Sequence, residues 1–295
     1  MKLSNRIGLD LPSLEQGRLD DPGLFGPNSE VWAVGRERVL LLGGPAALLL
    51  QLAHPLVAAG VADHSGFRVD PFDRLRATLD ATLRISFGDS DQAGQAADRV
   101  RATHRAVRGA LQVSTGPFPA GTPYSASDPD LAMWVHATLV SVAMDSFELL
   151  VEPLSLKRRE GYYRESGRFA RLFGVTDQVL PPTYEDFRSY LRTMLDGEAL
   201  FVGDQARSLA AHVMAPPVPP LLRVTRRGVR ALTAALLPER LREGFGLIWG
   251  PAERTHASLL ARAIRSTIRA WPPRVRYWPH YLDARRRVRP SGPGK

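Results

Sequence analysis

The sequence predicts an all-α fold, a multi-helix bundle, and three observations lead to it. Helix start signals recur along the chain, each a capping residue followed by proline or by an acidic first turn. Apolar residues between these signals recur at helical spacing, whereas the alternation typical of strands is nearly absent. The 295 residues are 44% hydrophobic and 23% charged, which is ordinary for a globular chain and excludes a fibrous or wholly disordered one.

The first long apolar stretch, residues 39–62, carries no formal charge and is long enough to span a membrane. A Gly-Gly-Pro sequence at 43–45, then His54 and Pro55, interrupt it, which favours a buried core helix over a membrane span. Before it, residues 1–30 form a predicted irregular arm without the apolar segment of a secretory signal, so we expect a cytoplasmic protein.

The remaining signals divide the chain into a main domain and appended segments. Residues 31–215 form the predicted main helical domain, 216–270 form C-terminal helices that pack on it after a run of prolines, and 271–295 form a basic tail that we expect to be largely disordered. Within the main domain we expect helices that begin at Asp70-Pro71, Asp91, Asp128-Pro129 and Thr183 and that end near Phe87, Gly109, Leu150 and Asp196.

The net charge of +9 is concentrated in that tail. Residues 271–295 hold seven basic residues against one aspartate, which leaves +3 for the rest of the chain. We therefore expect no nucleic-acid partner, but a peripheral contact of the tail with an anionic membrane. Because the chain has no cysteine, disulfides, thiolate metal sites and cysteine nucleophiles are excluded, and a metal would need histidine or carboxylate ligands.

The first helix of the predicted set has three faces. Arg76, Asp80 and Arg84 form a charged i, i+4, i+8 stripe that we expect to face water. Arg74 and Thr78 lie on another face among apolar residues, where burial of a bare guanidinium would cost on the order of several kcal/mol. Arg74 is therefore predicted to bind a ligand or, as the alternative, to pair with a carboxylate or extend to solvent.

His104, on the next helix, lies at the boundary between an apolar arc and a face that carries Arg101 and Arg108. This position suits an imidazole that faces a large, apolar, planar cofactor whose carboxylates reach the arginines. An ordinary histidine at a helix edge is the alternative interpretation.

Three further histidines are candidates for a site. His54 and His136 have apolar neighbours in sequence and are predicted to be buried and neutral. His64, which follows Asp63, could cap a helix, face a distal pocket or bind a metal. No histidine spacing matches a zinc motif, although a non-haem metal cluster of His54, His64, His104 and His136 is a further alternative. The sequence contains no nucleotide-binding glycine motif and no serine-hydrolase motif.

Several segments, taken in order, resemble one enzyme family. They are Gly43-Gly44-Pro45-Ala46, the sequence QLAHPLVAAGVADHS at 51–65, Asp70-Pro71, Arg74-Leu75-Arg76-Ala77-Thr78 and Trp134-Val135-His136-Ala137-Thr138-Leu139. Together they are similar to the oxygenases that include the fungal mpaB enzymes and the bacterial latex clearing proteins. The resemblance runs from about residue 30 to about residue 210.

The resemblance implies a globin-like helical domain around a cofactor pocket, which binds haem b and uses O₂ to cleave carbon–carbon double bonds of isoprenoid chains. It implies that Arg74 and Thr78 lie beside the haem and act in catalysis, and that His104 is the proximal ligand of its iron. Ala77 stands where the rubber-cleaving branch has a lysine, and Asp63 is an acidic residue 11 positions before Arg74.

We therefore expect an oxidoreductase, a haem-dependent oxygenase that acts on an apolar small molecule. The expected cofactor-binding residues are His104, Arg74, Arg101 and Arg108. Candidates for the rest of the pocket are His54, Asp63, His64 and His136. A non-catalytic helical protein that binds lipid or a membrane surface is one alternative, and an oxygenase with a non-haem, histidine-bound metal is the other.

Overall fold

The computed structural model describes Leu11, Leu14 and residues 17–64, 71–215 and 225–288, and only the backbone of 71–75 and Thr225. The prediction of an all-α fold is confirmed. The helices are α1 (Glu30–Gly35), α2 (Gly44–Leu52), α3 (Pro55–His64), α4 (Pro71–Phe87), α5 (Ser90–Ala106), α6 (Pro129–Leu150), α7 (Leu156–Leu172), α8 (Tyr184–Asp196), α9 (Asp204–Met214), α10 (Thr225–Ala235), α11 (Glu239–Gly244), α12 (Pro251–Thr267), α13 (Pro273–Arg276) and α14 (Pro279–Arg287), with short 3-10 helices at Arg38–Gly43 and Ile268–Ala270.

One short β-hairpin interrupts the helices. Strands β1 (Arg108–Ala110) and β2 (Pro123–Ser125) pair antiparallel, with Gly109 opposite Tyr124. A side chain at Gly109 would collide with the Tyr124 hydroxyl, at 2.5 Å from a Cβ atom, so the close approach of the strands requires glycine here. The hairpin ends the preceding helix at Ala106, before the predicted end near Gly109.

Helix α6 forms the centre of the fold. Its residues 131–144 carry no formal charge, and side chains from Met133 to Phe147 are buried against α2, α7, α12 and the 3-10 helix Arg38–Gly43. Burial of a helix on several sides is what an all-round apolar sequence predicts. The C-terminal helices α10 and α12 pack on each other and on this core.

The apolar stretch 39–62 is broken where His54 and Pro55 predict a break. Helices α2 and α3 meet there in a bend of 107°. No single helix among the described residues is long and apolar enough to cross a membrane, although the segments Arg38–Leu52 and Pro55–His64 pass that test as a bent pair. Most side chains of α2 are buried against α6 and α9, where they form part of the core.

Two of the predicted helix starts are confirmed by their caps. The Asp128 carboxylate accepts hydrogen bonds from the backbone at the start of α6, and Thr183 caps α8. Helix α5 begins earlier than predicted, because Asp89 and not Asp91 is the cap: Asp89 accepts from the Gln92 amide, and the Gln92 side chain accepts from the Asp89 amide. Asp70 lies outside the described residues.

The prediction of a largely disordered tail is wrong for residues 273–288. Trp278 and Tyr281 enter a core with Trp32 and Phe87, so aromatic residues among the arginines anchor α13 and α14. The tail charges are partly neutralised as well. The Arg276 guanidinium donates two hydrogen bonds, of 2.8 and 2.7 Å, to the buried Glu37 carboxylate.

The prediction that the charged stripe of α4 faces water is also partly wrong. Helix α14 packs over it, which leaves the side chains of Asp80 and Arg84 29% and 15% exposed. Arg84 Nε and Asp80 Oδ2 form an ion pair of 2.8 Å. The fully buried His280 of α14 lies beside it, with its Nε2 atom 3.6 Å from Asp80 Oδ1. The periodicity of α4 alone contains no information about a segment that lies 200 residues later.

We predict that Arg276→Met lowers the free energy of unfolding by about 3 kcal/mol, because the Glu37 carboxylate would stay buried without its bidentate partner. Urea denaturation followed by circular dichroism measures the loss. Arg274→Met is the matched control, since the Arg274 side chain is exposed, and it should change stability little. Equal and small effects of both variants would contradict the packing of residues 273–288.

Candidate functional site

The candidate site is built on the antiparallel pair α4 and α5. Only Gly88 and Asp89 join these helices, and a Cβ atom at position 88 would lie 2.4 Å from the Arg84 carbonyl oxygen. Because both helices rise at the same rate from this turn, His104 near the end of α5 lies level with residues 73–74 near the start of α4. The fold therefore brings the two predicted haem-side positions, 74 and 104, to the same end of the pair.

His104 lies in the last turn of α5, and its side chain is half-buried. Its ring centroid is 6.0 Å from that of Phe173, which follows α7, and its carbonyl oxygen accepts a hydrogen bond of 3.0 Å from the Val107 amide. One side of the imidazole therefore contacts an aromatic ring, while part of the ring is reachable from outside. This arrangement agrees with the predicted boundary position.

The arginines predicted for the cofactor lie near His104 in the chain, on exposed positions. Arg101, one turn before it, pairs with Asp98 and donates a long hydrogen bond of 3.4 Å to the Leu172 carbonyl oxygen. Arg108 lies in β1 with an exposed side chain. Both guanidinium groups are thus accessible to an anionic ligand group at this end of α5.

The two predicted catalytic residues lie in the first half of α4. Thr78 is exposed, and its carbonyl oxygen accepts a hydrogen bond of 2.8 Å from the Thr82 hydroxyl. The side chain of Arg74 lies outside the described part of the structure. Both residues are therefore placed by the backbone of α4, one helical turn apart.

Asp63 and His64, at the end of α3, bind the β-hairpin. The Tyr124 hydroxyl donates a hydrogen bond of 2.6 Å to the Asp63 carboxylate, and burial together with that carboxylate raises the pKa of Tyr124 to about 12. His64 Nε2 is 3.0 Å from the Arg108 carbonyl oxygen. These contacts fix the hairpin against α3.

His54 and His136 are buried, as predicted, each 6% exposed. Desolvation lowers the pKa of both imidazoles to about 4, so both are neutral at neutral pH. His136 Nε2 is 3.5 Å from the Ser166 hydroxyl. The His54 ring packs 5.3 Å from that of Phe118, and its Nδ1 atom is buried without a hydrogen-bond partner.

The proposed histidine cluster is not formed. Across the described ranges, no three side chains of histidine, aspartate or glutamate come together in a way that could hold a metal ion. The four histidines instead face separate partners: His54 packs against Phe118, His64 against the Arg108 carbonyl, His104 against Phe173 and His136 against Ser166. The non-haem alternative thereby loses the cluster on which it depended.

Two cavities were not predicted from the sequence. One, of about 310 Å³, lies between Asp63, the loop of the β-hairpin and the start of α9. The other, of about 270 Å³, lies between α2, α6, α8 and the end of α10, with Trp134 and Asp145 in its wall. His104 lines neither cavity. The sequence signal for the second cavity is the spacing of Trp134, Thr138, Ser141 and Asp145 along one face of α6.

Comparison with known proteins identifies the family. The model of the family described as "ER-bound oxygenase mpaB/B'/Rubber oxygenase, catalytic domain" matches residues 31–266. The chain belongs to this family. It therefore carries an oxygenase catalytic domain, which includes α10 and almost all of α12 as well as the segments quoted from the sequence.

Two curated relatives match this oxygenase-family chain over most of its length. They are uncharacterised proteins of Mycobacterium bovis and Mycobacterium tuberculosis, each 28% identical over 238 residues, which is 78% of this chain and 90% of the relative. No solved structure matches the chain.

We predict that stability falls as the pH drops from about 6.5 to about 4. In this window His54 and His136 are protonated in the unfolded chain but stay neutral in the folded chain, because their folded pKa of about 4 is below the unfolded value of 6.5. Each histidine contributes a slope of up to about 1.4 kcal/mol per pH unit. Urea denaturation at several pH values measures this slope.

His136→Gln should reduce that slope, since glutamine does not titrate. The matched control is His256→Gln, because His256 is exposed on α12 and should leave the slope unchanged. A slope that both variants leave intact would show that the buried imidazole of His136 does not set the acid stability.

Proposed function

We propose that this protein is a haem b-dependent oxygenase that acts with O₂ on an apolar, isoprenoid-like or lipid-like substrate. Membership of the oxygenase family supports the reaction class. The observation that carries the haem assignment is the place of His104, a half-buried imidazole level with the start of α4 and beside the Phe173 ring.

The residues present fit a haem in their chemistry. A porphyrin supplies four nitrogen ligands to its iron, so that a single protein histidine would be enough to hold the group, and no protein-only cluster is needed. Phe173 offers an aromatic surface next to the imidazole of His104. Arg101 and Arg108, both exposed and within four residues of His104, provide guanidinium groups for the carboxylates of the cofactor.

In this proposal each side chain has a physical task. The bound haem would supply the activation of O₂, which protein side chains alone do not provide. His104 would hold the group, and Arg74 and Thr78, from the neighbouring helix α4, would supply hydrogen-bond donors for O₂. His54 and His136 are held neutral by burial, so they add no charge to an apolar interior.

The substrate class is proposed from the family and from the interior of the fold. Helix α2 and residues 131–144 of α6 carry no formal charge and bury mostly apolar side chains, which exclude water and suit a substrate with few polar groups. Oxidative cleavage of a carbon–carbon double bond is the reaction that we propose. Because Ala77 replaces the lysine of the rubber-cleaving branch, no side chain at that position can bind the iron.

Peripheral membrane contact through the C-terminal basic residues is part of the proposal. Arg276 is engaged by Glu37, and Arg287 donates to the carbonyl oxygens of Asp21 and Phe87. The contact would therefore depend on the exposed side chains of Arg274, Arg285 and Arg286, together with the basic residues after 288.

We predict that the protein reconstituted with haem shows a Soret band and that His104→Ala abolishes or strongly shifts it, since the variant lacks the proximal nitrogen. Absorption spectroscopy and haem quantification measure the result. His256→Ala, which removes an exposed histidine from α12, is the control and should leave the spectrum unchanged.

Two outcomes would contradict this assignment. An unchanged spectrum in His104→Ala, with loss of the band in His54→Ala or His136→Ala, would assign the ligand to a buried histidine instead. A chain that binds no haem under any condition would favour the non-catalytic lipid-binding alternative.

A further inference from the structure

The 270 Å³ cavity lies along one face of α6. Trp134, Thr138, Ser141 and Asp145 follow one another at i, i+4, i+7 and i+11, so they form one line along the helix. His136, the residue of α6 considered for the haem pocket, points about 200° away from Trp134 at 100° per residue. Neither His136 nor His104 lines this cavity.

The cavity is slim and changes in polarity along its length. From Trp134 to Asp145, eleven residue-to-residue steps of α6 cover about 16 Å at the helical rise, and the volume of about 270 Å³ lies along this length. Leu50, Leu191, Leu195 and Leu236 supply apolar walls, and the buried Trp134 contributes an indole Nε1 atom that has no hydrogen-bond partner. A buried donor without a protein partner is typical of a site that a water molecule completes.

Asp145 provides a negative charge at the solvent end. Its carboxylate accepts a hydrogen bond of 3.2 Å from the Ser141 hydroxyl and forms no ion pair within the described residues. Neighbouring guanidinium groups are engaged elsewhere, because Arg159 binds Glu148 through two hydrogen bonds of 2.7 Å, and Arg242 binds the carbonyl oxygens of Ala234 and Leu237. Asp145 is exposed at this end of the cavity, and the charge of Glu148 adds to its negative potential, so a cation beside it would be stabilising.

We propose that this cavity binds a slim cationic amphiphile, with its apolar chain between the leucines and Trp134 and its ammonium-type head at Asp145. The negative charge of Asp145 favours a cationic head group, and the apolar walls favour a hydrocarbon chain attached to it. This inference does not rest on haem binding.

Isothermal titration calorimetry tests the proposal with decyltrimethylammonium, below its critical micelle concentration, as the probe. We expect saturable binding that is at least about ten-fold tighter than that of decanoate, whose charge is opposite. Asp145→Asn should weaken binding of the cation about five-fold, as expected for one partly exposed charge pair, and should leave binding of 1-decanol nearly unchanged.

The controls separate this site from the surface and from the haem region. Asp130→Asn removes an exposed carboxylate from the first turn of the same helix and should have no effect, whereas Leu191→Trp should fill the cavity and abolish binding of all ligands. His104→Ala should leave binding intact, so failure of the haem proposal would be visible separately. Equal affinities for cation and decanoate, absence of saturable binding, or a loss in Asp130→Asn equal to that in Asp145→Asn would overturn the proposal.

Discussion

The tight turn between α4 and α5 is the constraint on which the candidate site depends. Gly88 permits the close approach of the chain to the Arg84 carbonyl oxygen, and Asp89 closes the turn from the other side through a reciprocal cap with Gln92. The Asp89 carboxylate, itself buried, also accepts a hydrogen bond of 2.8 Å from the Arg18 amide. With this turn fixed, the far ends of the two helices, which carry positions 74 and 104, are held at one level.

The rest of the fold supports this pair from two sides. Helix α14 covers α4 through Trp278, Tyr281 and the contact of His280 with Asp80, so the C-terminal segment stabilises the helix that carries Thr78. On the other side, the residues that end and follow α7 contact α5 near its C-terminus, where Phe173 packs beside His104. The histidines in the apolar interior are held neutral by desolvation, and the fold thus avoids buried charge close to the central helix.

Local signals in the sequence were sufficient for the fold class and for several helix ends. Asp128 and Thr183 cap their helices as predicted, and Pro55 marks the sharp bend, because capping and proline geometry are decided by a few neighbouring residues. The buried state of His54 and His136 also followed from apolar neighbours in sequence.

What the sequence could not supply depends on contacts between distant segments. The arginines of residues 273–288 indicated a solvated tail, since their pairing with Glu37 and the burial of Trp278 become visible only in the folded chain. The charged stripe of α4 was assigned to water for the same reason. The line of residues along α6 from Trp134 to Asp145 had a readable spacing, but the cavity beside it is created by α8 and the end of α10.

The position of iron in crystals of the chain grown with haem tests the central claim most directly. Anomalous diffraction at the iron absorption edge locates the metal independently of any assumption about the site. We predict one iron peak within bonding distance of a ring nitrogen of His104, at the end of the pair of helices where α4 begins. An iron peak bonded to His54 or His136, with His104 away from the metal, would contradict it.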